Sequence, residues 1–427
     1  MRLRAVLAVT ACLALWWVAT GPAAHHTIPL PYVMTAPPAA VLAVRPERDD
    51  IAYTVTRTAF ELPGYDDVVL QEDRGRAFAT GVDGAIWQID LTTGKAKPLL
   101  DVPLMPAGAR AVPNDPDRLL FCAARYGGGQ DNPTQVPGVY ELDVTTPAAD
   151  EIAIRVPHPP PATTPPPGNE GTIVAGGARH EVAIATLTED NSRPIAFCND
   201  LDVSADGRRI YFSEPFAYAG ASMGPGAVPE AITLGTNGRL WRIDRARGTI
   251  ALVAQGYTFL DGVLLEDDAD GNERSVLITE TPKFRILRLW LSGPRAGEDE
   301  IVWESLPGMP DGLDRDAAGR IWVGLYGERT AALTWAHAHP WIKRLLLRLP
   351  LALLPVPHAT GILVLDPTAA TPLYHVMHDG SRVREISVAV PGVERLYLPS
   401  FARSNRGLVT MPYPAALDAA PASDQRP

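Results

Sequence analysis

Cysteine is nearly absent from this 427-residue chain: there are three, and Cys12 falls in an apolar stretch at the N-terminus. The other two, Cys122 and Cys198, make neither a disulfide framework nor a zinc-finger spacing. A pair of small buried strand residues and a single disulfide both fit them. Positive charge is also scarce. Lys+Arg number 38 against 49 Asp+Glu, for a net charge of -11 and a pI near 5.3. The chain therefore lacks the basic face that phosphates require, which excludes a nucleic-acid partner. No apolar run reaches the roughly 20 residues that a membrane-spanning helix needs. Hydrophobic residues are nevertheless 46% and charged residues 20%, which excludes a wholly disordered or collagen-like chain. Proline and glycine are plentiful, at 42 and 36. That much proline cannot sit inside helices, so many turns and short strands are expected.

The N-terminus reads Met1-Arg2-Leu3-Arg4 and then runs apolar through residues 5–19. Positive charge before a short apolar stretch is the pattern of a secretory signal. Small residues at 20–24 suit cleavage, while Trp16 and Trp17 would suit an uncleaved anchor at the interface. Residues 1–22 are thus expected to be a signal peptide or membrane anchor, with the rest of the chain outside the cytoplasm. Val9-Thr10-Ala11-Cys12 has the form of a lipoprotein box but lies only five residues beyond Arg4, with apolar sequence continuing past it. Residues 23–50, rich in Pro and Ala, read as a linker. The stretch 51–413 reads as one folded unit, and 414–427 as a disordered tail.

That unit repeats. A turn, an arginine and an alternating apolar strand recur at Arg76, Arg118, Arg209, Arg274, Arg320 and Arg395. Each is followed by a second strand, clearest in Asp83-Gly84-Ala85-Ile86-Trp87 and Asn237-Gly238-Arg239-Leu240-Trp241. Another strand precedes each arginine. The shortest interval suits a four-stranded blade, so six units predict an all-β, six-bladed β-propeller. The leftover strand at 51–60 is expected to pair with the last unit and close the ring, which removes the free edges. Long inserts fall at 126–137, 157–193, 215–236 and 327–358, all on one face of the disc, where binding usually lies.

The inner strands carry the chemistry. Between 9 and 13 residues before its arginine, four of the six inner strands enter the central channel with Asp or Asn: Asp66, Asn199, Asp261 and Asp311. Converging carboxylates and amides repel unless a cation neutralises them. An all-oxygen set selects a hard cation, Ca²⁺ best of all, with other divalent ions compatible.

The segments 197–203 (FCNDLDV), 210–214 (IYFSE), 259–263 (FLDGV), 286–294 (ILRLWLSGP) and 306–312 (LPGMPDG) resemble the strictosidine synthase-like family. That family lies within a wider group of six-bladed, calcium-dependent hydrolases that includes gluconolactonases and paraoxonases. The resemblance spans nearly the whole propeller. It implies a catalytic metal held by Asp66, where the family commonly has Glu, by Asn199, by Asp261, where it commonly has Asn, and by Asp311. In the paraoxonase branch a second, structural calcium would map onto Asp67 and Asp200. The implied reaction is hydrolysis of a lactone or activated ester, a small-molecule substrate whose carbonyl the cation polarises. The paraoxonase His pair has no match here, which leaves Asp311, or another carboxylate beside the ion, as the candidate base. A carbon–carbon lyase of the strictosidine synthase kind would need a Glu ahead of the last inner strands. The run 386–390 has none, although Glu385 adjoins it. A non-catalytic binding propeller with a structural ion is the remaining reading.

Tyr126, Tyr218 and Tyr326 begin or occupy inserts and are candidate pocket walls. The stretch from Trp335 to Pro350 is the one helical insert, in blade five, with Trp341, Leu345 and Leu349 on one face. It would act as a lid over the channel, lie on a membrane surface through residues 340–350, or simply pack against the propeller.

Overall fold

The structure, a computed structural model, describes residues 9–12, 16, 31–102, 104–125, 137–145, 170–175, 178–183, 195–217, 222–268, 270–350, 353–354 and 358–417. Six antiparallel sheets form the six blades of a β-propeller. Blade 1 contains Tyr65–Gln71, Arg76–Gly81, Ala85–Asp90 and Lys95–Asp101. Blade 2 contains Met105–Val112, Asp115–Ala124 and Gly138–Asp143. Blade 3 contains Leu201–Val203, Arg209–Glu214, Gly238–Asp244 and Thr249–Tyr257. Blade 4 contains Leu260–Asp267, Glu273–Glu280, Arg285–Trp290 and Asp299–Trp303. Blade 5 contains Gly308–Arg315, Ile321–Glu328, Thr360–Leu365 and Pro372–His378. Blade 6 contains Val390–Pro391, Arg395–Tyr397 and Leu408–Pro412. A two-stranded hairpin, Glu170–Ala175 with Ala178–Ala183, stands outside the blades.

The first strand of each sheet is innermost, and every repeat arginine lies at or near the start of the second. Two of these arginines tie neighbouring blades: Arg76 reaches Asp117 at 2.6 Å and Arg209 reaches Glu273 at 2.6 Å. Alternation along the strands buries apolar side chains between blades. Phe212, Trp241, Ile278, Trp322 and Leu363 are all inaccessible to solvent.

The ring closes as the leftover strand requires, though with a shorter element. Thr56–Thr58 pairs with Leu408–Pro412 and becomes the outer strand of blade 6. The preceding residues, read as strand from Ile51, form helix α2 (Asp50–Thr54), after α1 (Ala39–Ala43). The Asp49 carboxylate caps α2 by accepting from the Ala52 amide at 3.1 Å. This cap outweighs the β-branched character of 51–54. The expected linker also differs from Tyr32 onward. Met34 and Val41 are buried against blades 4 and 5, and the Tyr32 hydroxyl donates to the Lys283 carbonyl at 2.9 Å. These few apolar residues supply what its composition seemed to lack. At the other end, Ala415–Leu417 forms a short turn, and residues 418–427 lie outside the described set. Among the described residues no helix is long and apolar enough to cross a membrane.

Cys122 and Cys198 form a disulfide between the second strand of blade 2 and the entry to blade 3. The insert of blade 5 is two helices, α4 (Ala331–Ala338) and α5 (Pro340–Leu346), broken at His339. Thr330 caps α4 by accepting from the Leu333 amide at 3.1 Å.

Candidate metal centre in the channel

The channel residues owe their position to a repeated β-bulge. In blade 1, Asp66 and Asp67 together oppose Thr80. In blade 4, Asp261 and Gly262 oppose Thr279, and in blade 5, Asp311 and Gly312 oppose Gly324. A bulge leaves one residue unpaired and turns its side chain out of the ladder. Here it leaves Asp66, Asp261 and Asp311 lining the channel. The second bulge residue has an amide without a ladder partner, and a hydroxyl on the second strand takes it. Asp67 donates to Thr80 Oγ1 at 2.9 Å, Asp200 to Ser213 Oγ at 3.0 Å, and Gly262 to Thr279 Oγ1 at 2.7 Å. In blades 2 and 5 the opposing residues are Cys122 and Gly324. There the Gly108 amide bonds the Asn199 carbonyl at 2.8 Å and the Gly312 amide bonds the Ser387 carbonyl at 2.7 Å. The glycines permit close approach. A Cβ at Gly262 would sit 2.3 Å from the Asp311 carbonyl oxygen, and one at Gly312 would sit 2.8 Å from the Val388 Cβ.

Two tiers of acidic groups result. The upper tier is Asp66, Asn199, Asp261 and Asp311. These four line both the narrow channel and a larger cavity of about 150 Å³ above it. The Asn199 side-chain amide donates to Asp261 Oδ1, and Thr281 Oγ1 donates to Asp261 Oδ2 at 3.1 Å. Burial, and then the neighbouring carboxylates Asp67, Asp261 and Asp200, push the Asp66 carboxyl well above the usual range. Asp311 is likewise pushed well up, by burial and then by Asp261, with which it shares a hydrogen bond. The lower tier is Asp67, Asp200, Asp202 and Asp314, gathered about the half-buried Arg110 guanidinium.

Every donor in the upper tier is oxygen, the charge of three carboxylates converges, and no basic side chain lines the larger cavity among the described residues. This chemistry fits one hard cation. The spacing is open: among the described residues no three of His, Cys, Asp and Glu form a ready-made cage. An amide, and carboxylates now bonded to one another, would have to turn toward an ion.

The cavity above is predominantly apolar. Met223, Ala227, Val228 and Ala231 come from the blade 3 insert, which carries helix α3 (Val228–Thr233), and Phe259, Met309 and Phe401 complete the wall. Tyr326 also lines it. Tyr126 and Tyr218 lie outside the described residues. Trp335 and Trp341, expected at the pocket or lid, are 46% and 63% exposed, pack edge to face against each other at 5.8 Å, and are not part of the lining. The face of α5 that packs inward carries Lys343 instead, wholly buried, its amine pushed down to about 8 by burial and by Lys283. Helix α5 packs on α3, which contributes to the cavity wall. Glu385 stands behind Tyr326, which hydrogen-bonds it, and is not in the lining. Arg110, the three bulge hydroxyls and the apolar wall are the components that sequence patterns alone did not single out.

Residues 165–336 match the family described as SMP-30/Gluconolactonase/LRE-like region. The region is SMP-30/gluconolactonase-like. Its relatives are strictosidine synthase-like and adipocyte plasma membrane-associated proteins. Strictosidine synthase-like protein 10 of Arabidopsis thaliana is 34% identical over 45% of this chain and 51% of its own length. The adipocyte plasma membrane-associated protein of Homo sapiens is 29% identical over 40% of each chain. The chain therefore spans about half the length, or less, of these curated relatives. A solved gluconolactonase from Xanthomonas campestris aligns over 92% of this chain and 99% of that one, at 15% identity and a TM-score of 0.49.

Proposed function

We propose that this propeller is a divalent-cation-dependent hydrolase of lactones or activated esters, with calcium the best fit to its oxygen donors. The observation that carries the reading is the upper tier itself: the buried Asp261 and Asn199 with the half-buried Asp66 and Asp311, together at the floor of a cavity. The SMP-30/gluconolactonase-like match supports it at the level of reaction class. A bound cation would supply Lewis acidity toward a carbonyl oxygen. Asp66, Asn199 and Asp261 would hold it. Asp311, also a ligand, would take the proton of the attacking water. Thr281 donates to one Asp261 oxygen.

The cavity wall selects among substrates. A sugar lactone needs a hydrogen-bond partner for each hydroxyl, and an unpartnered buried hydroxyl costs roughly 1–3 kcal/mol. Beyond the acidic floor the lining among the described residues offers Thr281 and Tyr326 as side-chain hydroxyls, against a wall of Met, Ala, Val and Phe. We therefore assign an alkyl- or aryl-substituted lactone or ester rather than a polyhydroxylated one. The test is a hydrolysis panel of alkyl lactones, aryl esters and gluconolactone, run after chelation and again after restoring calcium. Calcium-restored turnover of the apolar substrates is the expected result. Turnover that survives chelation would refute the cation's role, and preference for gluconolactone would refute the substrate class.

The disulfide between Cys122 and Cys198 supports folding in an oxidising compartment. It agrees with export directed by the N-terminal segment. The exposed Trp335 and Trp341, beside the exposed Arg344, give the mouth face a means of touching an anionic bilayer. Sedimentation with phosphatidylserine vesicles, lost in Trp335→Ala/Trp341→Ala, would establish that contact, and equal sedimentation of both proteins would exclude it.

A further inference from the structure

The lower tier is built differently from the upper one. Asp67 Oδ1 accepts from its neighbour, the Val68 amide, at 2.7 Å, and Oδ2 accepts from Ala109 of the next blade at 2.9 Å. Asp200 repeats this with Leu201 at 2.8 Å and with Val263 of blade 4 at 2.9 Å. Asp202 does so with Val203 at 2.8 Å and Leu265 at 2.7 Å. Each carboxylate thus clamps its own inner strand to the inner strand of the following blade. Both oxygens of all three are already engaged by backbone donors. Arg110 sets a positive charge among them. Its Nη1 lies 3.0 Å from Asp67 Oδ2, its Nε lies 3.8 Å from Asp202 Oδ1, and its Nη2 donates to the Leu313 carbonyl at 2.9 Å. Burial opposes the guanidinium charge, but Asp314, Asp67, Asp200 and Asp202 hold it protonated.

These residues do not fit a second resident metal ion. We infer that the Arg110 guanidinium is the built-in cation of the lower tier, so that the chain holds one divalent ion and Asp67 and Asp200 are inter-blade clamps rather than ligands. The inference takes the single ion from the proposed function above, but the role of Arg110 is separable from it.

Metal content after equilibration with calcium and gel filtration tests the count, and thermal unfolding with and without chelator tests the arginine. The wild type should hold one equivalent. Asp67→Asn should still hold one, with melting lowered by loss of the clamp. Arg110→Ala, which removes the guanidinium paired with Asp67 and Asp202, should melt about 5 °C or more below wild type in chelator, and calcium should recover more of that loss than the rise it gives the wild type. Two equivalents in the wild type, or loss of one equivalent in Asp67→Asn, would overturn the inference. So would an Arg110→Ala protein that melts with the wild type in chelator. If Arg110→Ala does not fold, the wild-type and Asp67→Asn counts decide. A wild type with no bound ion would refute the upper-tier reading, and the Arg110→Ala melting loss in chelator would then decide the arginine's role alone.

Discussion

At the residue scale, the bulge hydroxyls carry a cost that can be measured. Thr279 satisfies the Gly262 amide and also donates to the Asp311 carbonyl at 2.9 Å, so one side chain steadies two bulges. Thr279→Val keeps the shape and removes the hydroxyl. It should destabilise by about 1–3 kcal/mol, while Thr279→Ser should retain most of the wild-type stability; denaturant unfolding distinguishes them. Glu230 supplies a second residue-level test. It sits buried on helix α3, with Oε1 lacking a partner, and burial pushes its carboxyl up to about 7. An acid raised in the fold keeps its proton while the unfolded chain releases one. Stability should therefore fall as pH rises from about 4.5 to about 7 and then level off, by up to about 3 kcal/mol. Glu230→Gln should flatten that slope, and melting curves at pH 5 and pH 7.5 would show it. Asp66, Asn199, Asp261 and Asp311 were legible in the sequence because each enters the inner strand 9 to 13 residues before a repeat arginine. Arg110 was not, because blade 2 breaks the acidic pattern and its Gly108-Ala109-Arg110 looked like a gap. Only the closed ring brings that arginine against carboxylates of blades 1, 3 and 5.

At the element scale, inner strands and inserts divide the work. Strand positions followed from alternation and the repeated turn–arginine signal, and all six second strands lie where that signal put them. Two helical segments were harder to read. In 50–54 a capping carboxylate overrides residues that favour strands. In the blade 5 insert the pattern of Trp341, Leu345 and Leu349 resembled a buried stripe, yet Trp341 is exposed and Lys343 is buried. Tertiary packing at the edge of a disc decides that face, and local periodicity does not encode it. The wall contributed by α3 gives a prediction at this scale. Ala231→Trp should fill the apolar cavity and reduce kcat/KM for bulky aryl or long-chain substrates at least tenfold. Small lactones should change far less, and equal losses on both would contradict the assignment of the wall.

At the scale of the whole molecule, three devices keep the ring closed: the N-terminal strand in blade 6, the carboxylate clamps around the axis, and the disulfide. The last encloses 76 residues of sequence separation, including the insert between blades 2 and 3. Removing it through Cys122→Ser/Cys198→Ser should cost roughly 2–4 kcal/mol, visible as a lower denaturation midpoint, whereas an unchanged midpoint would show that the propeller does not depend on it. The pairing was open in the sequence because two cysteines in neighbouring units can face either way. Neighbouring bulges turn both toward the same gap.

The central claim is that the upper tier is one metal centre and that hydrolysis depends on it. Its most direct test is Asp311→Asn, with bound calcium and turnover of the apolar lactone and ester panel measured on the same preparation as wild type. The substitution keeps size and removes a charge and a base. The ion should bind more weakly, and turnover should fall by at least about 10²-fold, even at calcium concentrations that refill the site. Wild-type turnover in Asp311→Asn, or unchanged calcium affinity together with unchanged turnover, would contradict the account.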